Sequence, residues 1–267
     1  MIRNSALEKL RAGELALGVL LRQARTVDTV KAMRTCGFDW LFIDMEHGSL
    51  STDSAAQLCV AALECGVAPI VRVPIMDTRT AARMLDNGAL GIIMPRVESG
   101  GQAQTVAADL RYAPAGHRSV IGTRPHFDFQ PPPLADATRF MDAATLLVVI
   151  IETPTAVQNV EEIAGVPGID VLLVGSNDLS LEMGIHGQFS RPEFDAAVQT
   201  VFAAAARHGK YIGIGGISDE SIMGKYIAQG ARFIPTLADI QYMMLAASAR
   251  TASLRKLLPP DGKPSPW

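Results

Sequence analysis

At 267 residues the chain can hold two small domains or one α/β barrel, and 48% hydrophobic against 19% charged residues is ample for a large core. A net charge of −3 gives no electrostatic reason to expect nucleic acid or an anionic membrane as partner. Residues 1–18 are amphipathic and charged, unlike a secretory signal, and no apolar run approaches the roughly 18 residues of a membrane span. Cys36, Cys59 and Cys65 lack metal-ligand spacing and read as small buried thiols in a reducing compartment. The expectation is a soluble, cytoplasmic α/β protein.

The chain opens with a short helix over 6–13, an apolar strand over 15–21 and a helix over 27–35, with Gly37 just beyond. A second strand, 39–45, runs straight into Glu46-His47-Gly48. Helix 51–64 follows, with Ser51 or Thr52 as its cap. Strand 68–73 carries Arg72, helix 78–87 is closed by Gly88, and strand 89–94 ends in Pro95-Arg96. After helix 101–111 the stretch 112–135 breaks the rhythm. A connection that long inside a compact domain is usually functional, and its His117, Arg118, Arg124 and His126 predict a loop lying over a site.

Helix 135–143 precedes strand 146–151, helix 156–164 and strand 170–174. A loop over 175–191 leads into a long helix, 192–208, then strand 211–214, helix 219–229 and strand 231–235. The closing helix is 238–257, with a flexible proline-rich tail over 258–267. Eight strands alternating with helices at roughly 25–35 residues per unit predict a single-domain (β/α)8 TIM barrel over 1–257. A doubly wound open sheet competes, but the strand-GxGxxG-helix fingerprint is missing. Gly213-Ile214-Gly215-Gly216 is a partial glycine cluster, which either cradles a phosphate or reflects backbone crowding at the barrel mouth.

The strand over 146–151 is apolar throughout, as expected for a strand buried on both faces, and stops at Glu152. The next strand stops just before Gly175-Ser176-Asn177-Asp178. A carboxylate at such an end sits on the rim where α/β folds place their chemistry. The other rims supply Asp44, Glu46, His47, Arg72 and Arg96. Each has a plainer explanation. Asp44 reads equally as an interior carboxylate paired to an arginine, Arg72 as its neutraliser, His47 as a packing or capping residue, and Asp178 as a helix N-cap.

Together these residues are harder to explain as structure alone. Several carboxylates at one mouth are costly unless a metal or an arginine compensates. Two carboxylates plus waters suit a hard divalent ion, Mg2+ or Mn2+. Imidazole is the usual proton carrier near neutral pH, and an arginine beside the metal suits an enolate oxygen. Lys9, Lys31, Lys210, Lys225, Lys256 and Lys263 all lie away from the C-terminal ends of the strands, which argues against Schiff-base chemistry.

The block Phe38-Asp39-Trp40-Leu41-Phe42-Ile43-Asp44-Met45-Glu46-His47-Gly48 resembles the second-strand signature of the metal-dependent 2-oxo-acid aldolases related to 4-hydroxy-2-oxoheptanedioate aldolase. Val71-Arg72-Val73, Leu85-Asp86-Asn87-Gly88-Ala89, Arg111-Tyr112-x-Pro114-x-Gly116-x-Arg118, Ile151-Glu152-Thr153 and Gly175-x-x-Asp178-Leu179-Ser180 follow in order. The resemblance spans about Gly13 to Leu257.

It implies a barrel whose last helix is exchanged with a neighbouring subunit, in a homohexamer built as a trimer of dimers. Glu152 and Asp178 would ligate Mg2+ or Mn2+, with Co2+ a further candidate, and a 2-oxo acid would chelate that metal. Arg72 would stabilise the enolate and the oxygen of the electrophile. His47 would transfer protons, oriented by Asp86 from an adjacent subunit. Asp44 and Glu46 would stand behind them, and the backbone at Ser176 and Asn177 would seat the carboxylate.

The chain departs from that pattern at Ile150, where many relatives carry glutamine, at Gly175-Ser176-Asn177-Asp178 in place of Gly-Pro-(Ala or Thr)-Asp, and over Ser119 to Pro133. The implied activity is cleavage of a 4-hydroxy-2-oxo acid to pyruvate or a related oxo acid plus an aldehyde. A citramalyl- or malyl-CoA-type lyase competes and needs a basic site for CoA phosphates, with Arg118 and Arg124 as its candidates. A non-catalytic oxo-acid-binding barrel is the third reading.

Overall fold

A computed structural model describes residues 3–257, so the expected tail over 258–267 lies outside the described residues. Its strands are β1 (Ala16–Leu21), β2 (Trp40–Asp44), β3 (Ala68–Arg72), β4 (Gly91–Met94), β5 (Leu146–Ile151), β6 (Val171–Gly175), β7 (Tyr211–Gly215) and β8 (Phe233–Ala238). All pair in parallel with their sequence neighbours, and β8 returns to β1, closing the barrel. The chain is thus the expected single-domain (β/α)8 barrel.

The helices are α1 (Ser5–Arg11), α2 (Asp28–Thr35), α3 (Thr52–Cys65), α4 (Thr78–Asp86), α5 (Gly100–Leu110), α6 (Leu134–Ala144), α7 (Pro154–Gln158), α8 (Val160–Ala164), α9 (Ser176–Glu182), α10 (Pro192–Arg207), α11 (Glu220–Ala228) and α12 (Asp239–Arg255). Ser51 caps α3, its hydroxyl accepting from Ser54 N. The helix expected over 156–164 is broken at Asn159 into α7 and α8. The expected loop over 175–191 begins instead with α9, for which Gly175 is the N-cap. Asp178 is therefore the third residue of that helix and not its cap.

Alternate side chains of a strand face opposite ways, and here both faces are buried, so the strands read as unbroken apolar runs. One set fills the barrel, where Trp40, Phe42, Ile70, Val148, Ile150, Leu173 and Phe233 form a cluster. Trp40 stacks on Phe233 with ring centroids 4.1 Å apart. The other set, including Leu41, Ile43, Val149, Ile151 and Val174, packs outward against the helices.

Two segments serve ends that the sequence does not announce. Residues 112–135 contain one 3-10 turn, Pro125–Phe127, and the buried side chains of Arg118, Arg124 and His126. Arg118 pairs with Asp86 at 2.7 Å, Arg124 donates to Tyr112 Oη and Ile121 O, and His126 Nε2 bonds Ala89 O. This stretch packs on its own barrel's flank, and none of it lines the mouth cavity. The expectation of a loop over the chain's own site is corrected accordingly. The second segment is α12, 17 residues long with no buried residue; Met243, Met244 and Leu245 are 60–62% exposed. Cys59 and Cys65 are buried in α3 as expected, whereas Cys36 is exposed.

Candidate active site

The strand alternation that fills the barrel also delivers the polar groups. Two residues beyond Phe42 on the inner face comes Asp44, two beyond Ile70 comes Arg72, and two beyond Ile150 comes Glu152. Each is the first inward position above the apolar layer. Parallel pairing sets Asp44 beside Arg72.

Asp44 accepts five hydrogen bonds. Arg72 donates two, Nε to Oδ1 at 2.9 Å and Nη2 to Oδ2 at 2.7 Å, and Arg22 Nε reaches Oδ2 at 2.9 Å. The amides of Glu46 and His47 complete the set at 3.1 and 3.2 Å. Burial works to raise the Asp44 pKa, but Arg72 and the other donors outweigh it and hold it down to about 2. Arg72 Nη1 also lies 3.2 Å from Glu46, and its guanidinium sits over the Phe42 ring at 5.0 Å. The arginine is clamped on three sides.

Glu152 is 5% exposed and has no cationic side chain within salt-bridge distance among the described residues. Its one hydrogen bond comes from Arg96 N at 2.8 Å. Arg96 adopts the left-handed conformation, with φ of 50°, an unfavourable region for a side chain of that size. Burial, with a smaller push from Asp178 and Glu46, drives the Glu152 pKa up to about 7. Burial likewise raises that of Glu46.

Beside Glu152 stands Gly175, where an added Cβ would fall 2.8 Å from Oε2 and 2.9 Å from Ile150 Cγ2. The strand has to be glycine there for the carboxylate to fit. Just past it, Ser176 Oγ is buried without a hydrogen-bond partner among the described residues.

Glu152 and Asp178 both line a cavity of about 370 Å³ at the C-terminal mouth, together with His47, Arg72, Ser176 and Asn177. Among the described residues no three His, Cys, Asp or Glu side chains gather as a metal cage. Two oxygen ligands with open positions is instead the arrangement a hard cation shares with a chelating substrate. An under-compensated buried carboxylate beside a second one fits a divalent cation.

The structure thus brings together Asp44, Glu46, His47, Arg72, Glu152, Ser176, Asn177 and Asp178. It does not bring Asp86 to the same mouth, because that side chain ends α4 and faces Arg118. Arg118 and Arg124, the candidates for CoA phosphates, are buried away from the cavity. Lys210, the lysine nearest a strand, is tied to Val166 O and Ile169 O just ahead of β7.

The glycine cluster is explained by crowding. A Cβ on Gly213 would meet Leu173 Cδ1 and Phe233 O at 2.9 Å, and one on Gly215 would meet Pro235 at 2.6 Å. Two contributors escaped the sequence reading. Arg22 is the first polar residue after β1, the same rim signal that marked Glu152. The amide of Arg96 leaves no trace in the side-chain pattern.

Residues 19–244 match the family described as HpcH/HpaI aldolase/citrate lyase. The chain belongs to that family. A 4-hydroxy-4-methyl-2-oxoglutarate aldolase of Hapsidospora irregularis is 35% identical, the alignment covering 91% of this chain and 92% of the relative. A 4-hydroxy-2-oxovalerate aldolase of Novosphingobium aromaticivorans is 38% identical over 86% and 87%. Among solved structures, the HpcH/HpaI aldolase from Desulfitobacterium hafniense DCB-2 superposes with a TM-score of 0.90 at 28% identity, covering 98% of this chain and all of that one. As an HpcH/HpaI aldolase relative the chain is a carbon–carbon lyase, and the family generally depends on a divalent metal.

Proposed function

We propose that the protein is a class II aldolase that reversibly cleaves a 4-hydroxy-2-oxo acid to pyruvate, or a close analogue, and an aldehyde, using Mg2+, Mn2+ or Co2+ held by Glu152 and Asp178. The observation that carries this reading is the pair itself, one carboxylate buried without a cation and a second beside it, both facing Arg72 across one cavity. Two relatives of different organisms carry names of 4-hydroxy-2-oxo acids. A bound divalent cation would polarise the keto oxygen and offset negative charge as the enolate forms.

The chain's own groups divide the rest of the work. The substrate carboxylate is seated at the backbone of Ser176 and Asn177. His47, more than half exposed at the cavity wall, takes the proton of the 4-hydroxyl. The C3–C4 bond then breaks, C4 leaves as the aldehyde carbonyl, and the bonding pair moves into the enolate. Arg72, held in place by Asp44 and Glu46, donates to the developing oxygen charge, and protonation at C3 gives the oxo acid. Orientation of His47 by Asp86 of an adjacent subunit belongs to the same proposal. So does a homohexamer with α12 exchanged between subunits, which the apolar and unburied α12 supports.

Solvent deuterium exchange into the methyl group of pyruvate, followed by NMR with added Mg2+ or Mn2+, tests enolate formation without requiring the right aldehyde. Exchange is expected, and is expected to vanish in EDTA and in Glu152→Ala or Asp178→Ala. Undiminished exchange in EDTA would overturn the proposal. A CoA-ester lyase is disfavoured because the two arginines it needs are buried elsewhere, and binding of acetyl-CoA by calorimetry would reverse that judgement. Absence of any exchange would favour the non-catalytic barrel.

A further inference from the structure

We infer that Arg22 is a specificity-determining residue that binds a carboxylate on the electrophile half of the substrate, so that the preferred 4-hydroxy-2-oxo acid is a diacid. The inference rests on the aldolase reading and narrows its substrate class.

Position is the first argument. In a closed barrel of eight strands in chain order, β1 stands directly across from β5. Arg22 follows β1, and Glu152 follows β5; both line the same cavity. An oxo acid held at Glu152 and Asp178, with Arg72 to one side, would have the wall of β1 and β8 open to its C4 end across the mouth.

The second argument is the state of the guanidinium. Nε is fixed to Asp44, yet neither Nη nitrogen has a hydrogen-bond partner among the described residues. Asp44 is already gripped twice by Arg72, which also reaches Glu46, so Arg22 shares its carboxylate with a second guanidinium. Arg22 presents a planar fork of unused Nη donors, and the side chain is about two-thirds buried, 36% exposed. Planar forks of this kind suit a carboxylate, bound through two parallel hydrogen bonds.

The surroundings agree. The wall contributed by β7, β8 and β1 carries no carboxylate among the residues lining the cavity. Its other polar groups include Thr236 and Gln241, whose Oε1 is used by Ala238 N, leaving the amide nitrogen as a further donor. The loop is also held still. Asp239 Oδ2, at the start of α12, accepts from the successive amides of Arg22, Gln23 and Ala24 at 3.2, 2.9 and 2.6 Å. A donor fixed at both backbone and Nε loses little freedom on binding.

The test compares aldol addition of pyruvate to glyoxylate, an aldehyde bearing a carboxylate, with addition to glycolaldehyde, a neutral aldehyde of similar size. Glyoxylate is the more reactive aldehyde, so the readout is the change in the ratio of the two kcat/KM values on substitution. Arg22→Gln is expected to lower that ratio by about 30-fold, the loss falling on KM for glyoxylate, and Arg22→Lys to keep part of it. Any disturbance passed through Asp44 to Arg72 slows both acceptors and cancels in the ratio. An unchanged ratio in both variants, with deuterium exchange intact in the parent enzyme, would overturn the role of Arg22 and leave the aldolase standing. Absence of exchange in the parent enzyme would remove the aldolase reading and this inference with it. Should Arg22→Gln fail to fold, Arg22→Lys decides alone, since an ammonium cannot reproduce the two-pronged contact and the ratio must still fall.

Discussion

Arg72 grips Asp44 with two parallel hydrogen bonds, at 2.9 and 2.7 Å, across neighbouring strands of the barrel. On the aldolase proposal, this pair positions the guanidinium that stabilises the enolate. Asp44→Asn keeps the shape, loses the charge, and leaves two guanidiniums facing a neutral amide. Breaking a buried pair costs about 3–5 kcal/mol. The melting temperature should therefore drop; and because the guanidinium is no longer held, enolate exchange is expected to fall at least ~100-fold, corresponding to ~3 kcal/mol at the barrier. Exchange at the parent rate in Asp44→Asn would show that Arg72 needs no such clamp.

Gly175 gives a gentler probe of the proposed metal pair. Gly175→Ala adds one methyl group 2.8 Å from Glu152 Oε2, closer than a carbon and an oxygen can stand. The carboxylate must turn away, and Glu152 Cβ and Ile150 Cγ2, each 2.9 Å from the added carbon, must give way with it. Calorimetric titration with Mn2+ is expected to show affinity at least tenfold weaker, while circular dichroism stays that of the parent. Equal affinity would mean that Glu152 does not ligate from its observed position.

His126 predicts the acid response of the fold. Burial, followed by smaller contributions from Arg124 and Arg118, pushes its pKa down to about 4 from an unfolded value of 6.5. Between those values the unfolded chain binds more protons than the folded one, so stability declines as pH falls. The contribution is present in full above pH 6.5 and is lost as pH drops through about 4; a shift of this size is worth roughly 3 kcal/mol. Urea unfolding measured at pH 7 and pH 4.5 should show this slope, and His126→Gln, which keeps a donor for Ala89 O, should flatten it. A slope identical in the variant would assign the acid sensitivity to other groups.

The exposed apolar side chains of α12 predict assembly. Met243→Glu combined with Leu245→Glu places charges at two exposed apolar positions of this helix. Light scattering after gel filtration is expected to show a smaller particle than the parent, with the barrel's circular dichroism retained. An unchanged mass would remove α12 from the interface.

Much of this site is legible in the sequence because it lies where apolar strands stop. Glu152 and Asp44 end runs whose composition alone marks them as buried, and a period of two sets them on the inner face. The helix α9 was hidden, since Ser176-Asn177-Asp178 has the composition of a turn and the helix is 7 residues long. The 112–135 stretch misled for a different reason. Arginine and histidine mark binding loops on average, but here Arg118 and Arg124 flank the Tyr112 ring at 4.8 and 5.8 Å and His126 fills a buried slot. Composition does not distinguish a cation aimed at a ligand from one sandwiched on an aromatic ring. Arg96 shows a further limit, because its contribution is an amide, and every residue but proline has one.

Ile150 is one of the departures from the family pattern that lie at the cavity. It lies directly below Glu152 on the inner face and lines the cavity. An apolar surface there offers the oxo acid no hydrogen bond, so orientation falls to the groups around it.

Asp239 ties two events that are otherwise separate. It is the first residue of α12, and its carboxylate holds the loop that carries Arg22. In the proposed assembly, the exchanged helix would start at the same residue that steadies one wall of the cavity. Under that proposal, dilution into separate subunits would loosen this wall before it disturbed the barrel, and activity per subunit would fall with concentration.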